Sequence, residues 1–223
     1  MLSIIIPTLN CSDDLRHTLE TLALRPANWE VVVSDGGSTD GTPAVAELAK
    51  ARLLVGPPGR GRQLIAGARA ARGPWYLFWH ADTHPQPGWV KCVERFINNP
   101  DHAFHVGYFQ LVLNDPHPEA RRIERLANWR AKTFGLPYGD QGLLISEDYY
   151  DHLGGYKPLP LMEDVDLVRR IGTSRLHGLP TAAVTSAHKY RRDGWLLRPL
   201  KNLLCLALFY AGVPIASIVK LYR

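Results

Sequence analysis

Apolar and polar positions along this chain alternate in two rhythms, one of short runs and one of helical spacing. Residues 2–6 are an apolar run rich in β-branched side chains, and Pro7, which cannot donate to a sheet ladder, predicts its end. Leu15, Leu19, Leu22 and Leu24 then recur at helical spacing over residues 13–24, behind Ser12 as a candidate N-cap. Val31-Val32-Val33 predicts a second strand, followed by the turn-forming run Asp35-Gly36-Gly37-Ser38-Thr39-Asp40-Gly41. The pattern repeats as a helix from Pro43 to Ala51, a strand at Leu53-Leu54-Val55, a Gly/Pro-rich loop from Gly56 to Gly61, a helix through Ala71 and a strand from Trp75 to Trp79. Such alternation predicts an α/β fold with a mostly parallel central sheet flanked by helices.

After Asp101 the rhythm changes to a longer strand near Ala103 to Leu113, an amphipathic helix near Pro118 to Thr133 and a Gly/Pro-rich stretch around Gly135 to Gly142. No linker separates the halves, so the second is expected to supply the other wall of a cleft in one domain. A tail closes the chain. Its uncharged run, Asn202 to Val219, is near membrane-span length but is interrupted by Gly212 and Pro214. Two short helices covering the core, or helices lying at a membrane interface or against a second subunit, are the expected alternatives, with Arg198, Lys201, Lys220 and Arg223 as basic flanks.

Composition narrows this picture. With 223 residues, 46% of them hydrophobic, 21% charged and six Trp, the chain can bury a sizeable core, and disordered or fibrous readings are excluded. The net charge of +5 is concentrated: residues 189–223 carry seven Lys/Arg and one Asp, leaving a near-neutral body. A basic, apolar tail points to an anionic membrane surface or a diphosphate more than to nucleic acid, for which no recognition motif is present. Cys11, Cys92 and Cys205 are odd in number and unrelated in spacing, which makes a reduced, cytoplasmic location the expectation. The N-terminus reads as a strand and not as a signal peptide.

Ligands of open parallel sheets bind beyond the carboxyl ends of the strands, and here those ends are polar. The Asp35 loop is not a calcium loop, because the twelfth position is Ala46 and not a bidentate Glu. No dinucleotide fingerprint follows the first strand, and no P-loop motif occurs. What survives is a strand-end carboxylate placed to accept from a base edge or ribose. Gly59-Arg60-Gly61-Arg62 sets guanidinium groups beside a helix start, suited to a diphosphate or simply a solvated turn. His80, Asp82 and His84 put three potential ligands of a divalent ion into five residues. Glu163-Asp164 at a predicted helix start has two readings of equal weight: complement to the helix dipole, or a carboxylate that takes a proton from an attacking hydroxyl.

Taken together, Ser3-Ile4-Ile5-Ile6-Pro7-Thr8-Leu9-Asn10, Val33 through Thr42, His80-Ala81-Asp82, Gly154-Gly155-Tyr156 and Met162 through Leu167 resemble the family 2 glycosyltransferases of GT-A type, over about residues 2 to 190. Gly61-Arg62-Gln63, Trp79 through Thr83, Tyr138 through Gly142 and Pro160 through Asp164 further resemble the bacterial glycosyltransferases associated with arsenosugar biosynthesis. The resemblance implies a GT-A-type, Rossmann-like domain over 1–190, with a nucleotide-binding half at 1–100, an acceptor half at 101–190 and a helical tail at 191–223. It implies an inverting transfer of a sugar from a nucleotide diphosphate, most readily a UDP-sugar, to an acceptor hydroxyl, aided by Mg²⁺ or Mn²⁺. Pro7, Thr8, Asn10 and Asp35 would hold the nucleoside, with Gly61 and Arg62 on the diphosphate side. Asp82 would bind the metal; His80, which stands where the family carries an acidic residue, would be a ligand or a water-mediated neighbour, or else metal binding would be weaker than usual. Asp164 would be the base, with Glu163 in reserve. Asp140 and Gln141 would line the acceptor side, or serve a turn, and His188, Arg191 and Arg192 would close over the diphosphate. The competing expectations are a metal hydrolase on His80, Asp82 and His84, and a nucleotide-binding regulator without catalysis.

Overall fold

The computed structural model describes residues 1–222. The strands are β1 (Ser3–Thr8), β2 (Glu30–Asp35), β3 (Arg52–Val55), β4 (Trp75–Phe78), β5 (Thr83–Pro85), β6 (Val106–Leu113), β7 (Leu143–Ser146) and β8 (Leu176–Thr185). The helices are α1 (Ser12–Leu22), α2 (Thr42–Leu48), α3 (Arg60–Ala70), α4 (Trp89–Ile97), α5 (Pro118–Phe134), α6 (Glu147–His152), α7 (Glu163–Ile171), α8 (His188–Asp193), α9 (Leu197–Tyr210) and α10 (Ile215–Tyr222). The strands form one sheet in the order β3-β2-β1-β4-β7-β6-β8-β5. Its first four strands run parallel, as expected. Beyond β4 it is mixed: β7 runs antiparallel to both β4 and β6, and β6 pairs parallel with β8.

Burial on both sheet faces explains the continuous apolar runs. Ile4 and Ile6 pack with Leu15 and Leu19 on one face, while Ile5 packs with Leu64 and Ala68 on the other. Gly67 lets α3 lie directly on β1, since a Cβ there would overlap Ile5 Cγ2.

Two local expectations are corrected. Pro7 does not end β1, which continues to Thr8 and pairs through Pro7 with Ser34. Ile5 bonds toward β4 through its carbonyl, and Thr8 bonds toward β2, so by strand alternation Pro7 turns its nitrogen toward β4. Pairing with β4 has already ended at Ile5 opposite Phe78, and no ladder donor is lost there. Ser12 is not a cap but the first residue of α1; Cys11 holds the cap position and makes no side-chain capping bond. The boundary drawn at residue 190 falls inside α8.

The tail forms two helices that pack on the domain, Cys205, Leu206 and Ile218 making a small core with Met162 and Val165. Among the described residues no helix is long and apolar enough to cross a membrane. Arg223, counted among the basic flanks, lies outside the described residues.

Candidate active site

The carboxyl ends of β1, β2 and β4 open onto one edge, and the chain that leaves them builds one wall of a cleft. After β4 the segment from Trp79 to Asp82 turns sharply into β5. It is clamped from both sides: Thr18 of α1 donates to the carbonyls of Ala81 (2.7 Å) and Thr83 (3.0 Å), and the Ser186 amide donates to the Asp82 carbonyl at 3.0 Å. Asp82 thereby borders two hollows. One, of about 440 Å³, is edged by Asn10, Asp13, Asp14, Asp40, His188 and Lys189. The other, of about 120 Å³, is enclosed by Arg60, His80, Asp140, Glu163, Asp164 and residues of the tail.

Around Asp82 charges alternate. Lys189 Nζ donates to Asp82 Oδ2 at 3.2 Å, and His80 Nδ1 lies 3.9 Å from Asp82 Oδ1. Burial alone would raise the Asp82 pKa, but the Lys189 cation foremost, then His80 and Arg60, hold it below the ordinary carboxylate range. Burial, followed by the Arg60 charge, pushes His80 well below the usual histidine value, so its imidazole is neutral and free to act as a donor nitrogen. Arg60, in the first turn of α3, ion-pairs through Nε with Glu163 Oε1 at 2.9 Å and brings Nη2 to 3.4 Å from His80 Nδ1.

The facing wall comes from the start of α7 and the turn before β7. Met162 precedes α7 with φ of 63°, a left-handed conformation that costs a non-glycine residue some strain and swings Glu163 and Asp164 into the hollow. Burial, opposed by Arg60 and reinforced by Asp164, lifts the Glu163 carboxyl to about 7. Asp164 Oδ2 accepts from the Gly139 amide at 2.8 Å. Gly139 lets these groups close up: a Cβ there would lie 2.6 Å from both His80 Nε2 and Arg60 Nη2 and would displace them. Asp140 lines the same space, with its Oδ1 buried and unpaired; burial, opposed by Arg130 and reinforced by Asp164 and Asp82, raises its carboxyl.

Several of the residues expected in the site sit elsewhere, for physical reasons. Asp35 is 1% exposed, and its oxygens accept from the Gly37 amide (2.9 Å), the Ser38 amide (2.7 Å), the Ser38 hydroxyl (2.5 Å) and the Thr8 hydroxyl (2.9 Å). Asp35 shapes the loop and offers no open face to a base. Thr8 is buried beside it, its carbonyl taken by Gly36 and Gln63, and Pro7 is a strand residue; Asn10 alone of that set edges the larger hollow. Gly61 is a packing residue, for a Cβ would overlap the Lys157 carbonyl oxygen. Arg62 points to a different surface depression, away from Asp82. Gln141 is fully buried, its amide donating to the Phe109 carbonyl at 3.0 Å, so the turn reading holds for it. Arg191 pairs with Asp115 and Arg192 with Asp193, both outside the cleft; His188 edges the larger hollow. His84 packs edge-on against His17, with ring centroids 4.7 Å apart, so a His80/Asp82/His84 triad is not assembled.

The residues that the sequence alone did not place in the site are Lys189, Arg198 and Asn202; Arg60, read there as a diphosphate group beside Arg62, is the one of the two that enters the cleft. For Arg198 and Asn202 a signal existed: with Cys205 they follow one another at helical spacing on one face of α9.

The family model described as Glycosyl transferase family 2 matches residues 3–156, more than half of the chain. The chain belongs to that family. A curated relative, validoxylamine A glucosyltransferase of Streptomyces hygroscopicus subsp. limoneus, is 35% identical over 138 residues, which are 55% of this chain and 30% of that protein. This family 2 chain thus spans under a third of its curated relative. Among solved structures, S. aureus TarS 1–349 aligns with a TM-score of 0.66 at 19% identity, covering 99% of this chain and 69% of that one. The mannosyltransferase PcManGT from Pyrobaculum calidifontis, solved with GDP-Man and Mn²⁺, aligns with a TM-score of 0.65 at 17% identity, covering 90% and 59%. At these identities the likeness is one of fold, and the expected GT-A-type α/β architecture is what the chain adopts.

For this family a divalent ion is implied, and the donor set can be tested against it. Among the described residues no three His, Cys, Asp or Glu side chains converge as a closed metal site. One well-ionised carboxylate, Asp82, and one neutral imidazole, His80, is instead the partial set that a Mg²⁺- or Mn²⁺-type ion completes with substrate phosphate oxygens and water. The larger hollow is rich in Asp, which would repel a bare diphosphate and favours one carrying a cation. The residues fit the ion.

Proposed function

We propose that this chain is an inverting glycosyltransferase that moves a hexosyl or pentosyl unit from a nucleotide diphosphate, a UDP-sugar first among them, to an acceptor hydroxyl. The observation that carries the reading is the position of Asp82 on the partition between two hollows, with nucleotide-sized space on one side and the Asp140, Glu163 and Asp164 carboxyls on the other. PcManGT was solved with GDP-Man and Mn²⁺, and TarS also with UDP-GlcNAc, which supports a nucleotide-sugar donor in general.

Asp82 and His80 would hold Mg²⁺ or Mn²⁺, which when bound supplies Lewis-acid neutralisation of the diphosphate. Asn10 and the loop braced by Asp35 would border the nucleoside. Lys189 and Arg60 stand where negative charge develops on the departing diphosphate. Asp164 takes the acceptor hydroxyl proton as the new C–O bond forms and the sugar–phosphate bond breaks on the opposite face of the ring. Glu163, tied to Arg60, is the second candidate for that proton. The division into a nucleotide half, an acceptor half and a tail is part of this proposal, and the place in arsenosugar biosynthesis rests on the sequence motifs alone.

The tail adds a location. Leu196, just before α9, and Leu197, Leu200, Leu203 and Leu204 on it form an exposed stripe, from 49 to 76% accessible, within a segment of strong positive charge. We assign this stripe to the surface of an anionic membrane, with the protein peripheral to it. Leu200→Glu/Leu203→Glu should abolish cosedimentation with phosphatidylserine vesicles; wild-type binding by that variant, or a dimer broken by it, would move the stripe to another partner.

The activity is tested by thermal midpoints with UDP, GDP and their sugars, with and without Mn²⁺, on wild type and Asp82→Ala. A metal-dependent rise for one nucleotide, lost in Asp82→Ala, is expected. No rise with any nucleotide refutes the proposal.

A further inference from the structure

Helix α9 is built inside out. Leu197, Leu200, Leu203 and Leu204 face outward, while Leu206 joins the small core, Arg198 is 7% exposed and Asn202 lines the smaller hollow beside Asp82. Arg198 is fully engaged: it pairs with Asp193 Oδ2 at 3.1 Å, donates to the Tyr222 hydroxyl and stacks 4.4 Å from that ring. Asn202 is not, because its Oδ1 is buried with no hydrogen-bond partner. The same hollow holds a second buried oxygen without a partner, Asp140 Oδ1. Buried polar atoms left unpaired are costly; Glu119, His177 and Thr181 carry such atoms elsewhere among the described residues, but Asp140 and Asn202 share one hollow next to reactive carboxylates, where a ligand can supply the donors.

Resting on the transferase reading above, we propose that α9 forms part of the acceptor site, with Asn202 and Asp140 as specificity-determining residues that accept hydrogen bonds from a neutral, polyhydroxylated acceptor, a sugar or cyclitol. The charges disfavour an anion. Among the described residues the lining carries four carboxyls, Asp82, Asp140, Glu163 and Asp164, against three cations, and Arg60, Lys189 and Arg198 each already have a carboxylate partner. Tyr138, Tyr190 and Tyr222 line the hollow and make its wall aromatic, each with one ring face already covered, by Arg130, Trp195 and Arg198. The hollow of about 120 Å³ corresponds to roughly four water volumes, enough for one hydroxyl-bearing edge of a ring and not for a long chain.

The test is binding of myo-inositol and methyl α-glucopyranoside, against 3-phosphoglycerate and ethanolamine, read by saturation-transfer NMR on the full chain with UDP and Mg²⁺. The two neutral polyols are expected to bind and the charged probes not. Asn202→Leu should weaken polyol binding by about tenfold or more, leave the UDP dissociation constant unchanged, and keep or raise the thermal midpoint of the free protein, since it removes an unpaired polar group. Asn202→Asp, which retains an acceptor, should restore binding. Preference for a charged probe, wild-type polyol binding by Asn202→Leu, or a clear fall in that variant's midpoint, the mark of a structural role, overturns the inference. Failure of the transferase reading is separately visible, as absence of metal-dependent UDP binding in samples without polyol.

Discussion

On the wall built from the ends of β1 and β2, carboxylates are saturated by the protein itself: Asp35 accepts four hydrogen bonds, and Asp40 accepts from the amides of Ser12 and Thr42. On the wall built from the turn before β7, the start of α7 and α9, Asp164 accepts from the amides of Gly139 and Val165, but other polar groups are left wanting. Asp140 and Asn202 each bury an unpaired oxygen, and the Glu163 carboxyl is lifted to about 7 by burial despite Arg60. The first wall is finished on folding and sets a loop's shape; the second keeps unmet demand that a substrate can meet. Stability and chemistry are thus assigned to opposite sides of the cleft, and substitutions on the two sides should fail in different ways.

The largest effect is expected at Asp164. Asp164→Asn should lower kcat by about 10²–10⁴, the usual worth of a positioned base, while the dissociation constant for nucleotide and metal stays within about twofold of wild type. Steady-state rates and calorimetry on one preparation check both halves. If Glu163 is the base instead, the variant keeps its turnover, and kcat/KM falls as pH drops through about 7, because protonation of that carboxyl removes the acceptor of the proton.

On the finished wall, Asp35→Ala strands two amides and two hydroxyls. A loss of about 2–4 kcal/mol is expected, which for a chain of this length is a fall of about 5–15 °C in the thermal midpoint. Nucleotide affinity measured well below that midpoint should change little. A normal midpoint with lost nucleotide binding would make Asp35 a ligand contact and erase the contrast between the walls.

What the sequence made legible follows this division. Runs such as Ile4-Ile5-Ile6 and Val31-Val32-Val33 announce buried parallel strands because both of their faces are covered, and the loops at their ends are therefore locatable. Which atoms of those loops face outward was not legible. Asp35 and Asn10 look equivalent as strand-end polar residues, yet Ser38 and Thr8 close around Asp35 and leave Asn10 at the hollow's edge. Arg60 and Arg62 sit two positions apart on α3, and only the phase of that helix against the loop at Lys157 and Leu159 sends one into the cleft and the other away. The part played by α9 was hidden for a further reason: it is apolar on more than one side, and packing of Cys205 and Leu206 on Val165 of α7 leaves Leu197, Leu200, Leu203 and Leu204 outward.

The smallest expected effect distinguishes neighbouring cations on α8. Both side chains are exposed, at 58 and 62%, but Lys189 touches Asp82 at the partition, whereas Arg192 is paired with Asp193 outside the cleft. Arg192→Ala should leave UDP affinity within about twofold at low salt, since an exposed pair contributes little. Lys189→Met should weaken UDP by several-fold, an effect that shrinks as salt screens the diphosphate. The same variant should bind Mn²⁺ more tightly when no nucleotide is present, because the ion no longer displaces an ammonium from Asp82. Opposite signs in the two titrations are what a cation shared between the ion's carboxylate and the departing diphosphate requires. Equal losses in Lys189→Met and Arg192→Ala would instead bring the outer face of α8 into the site.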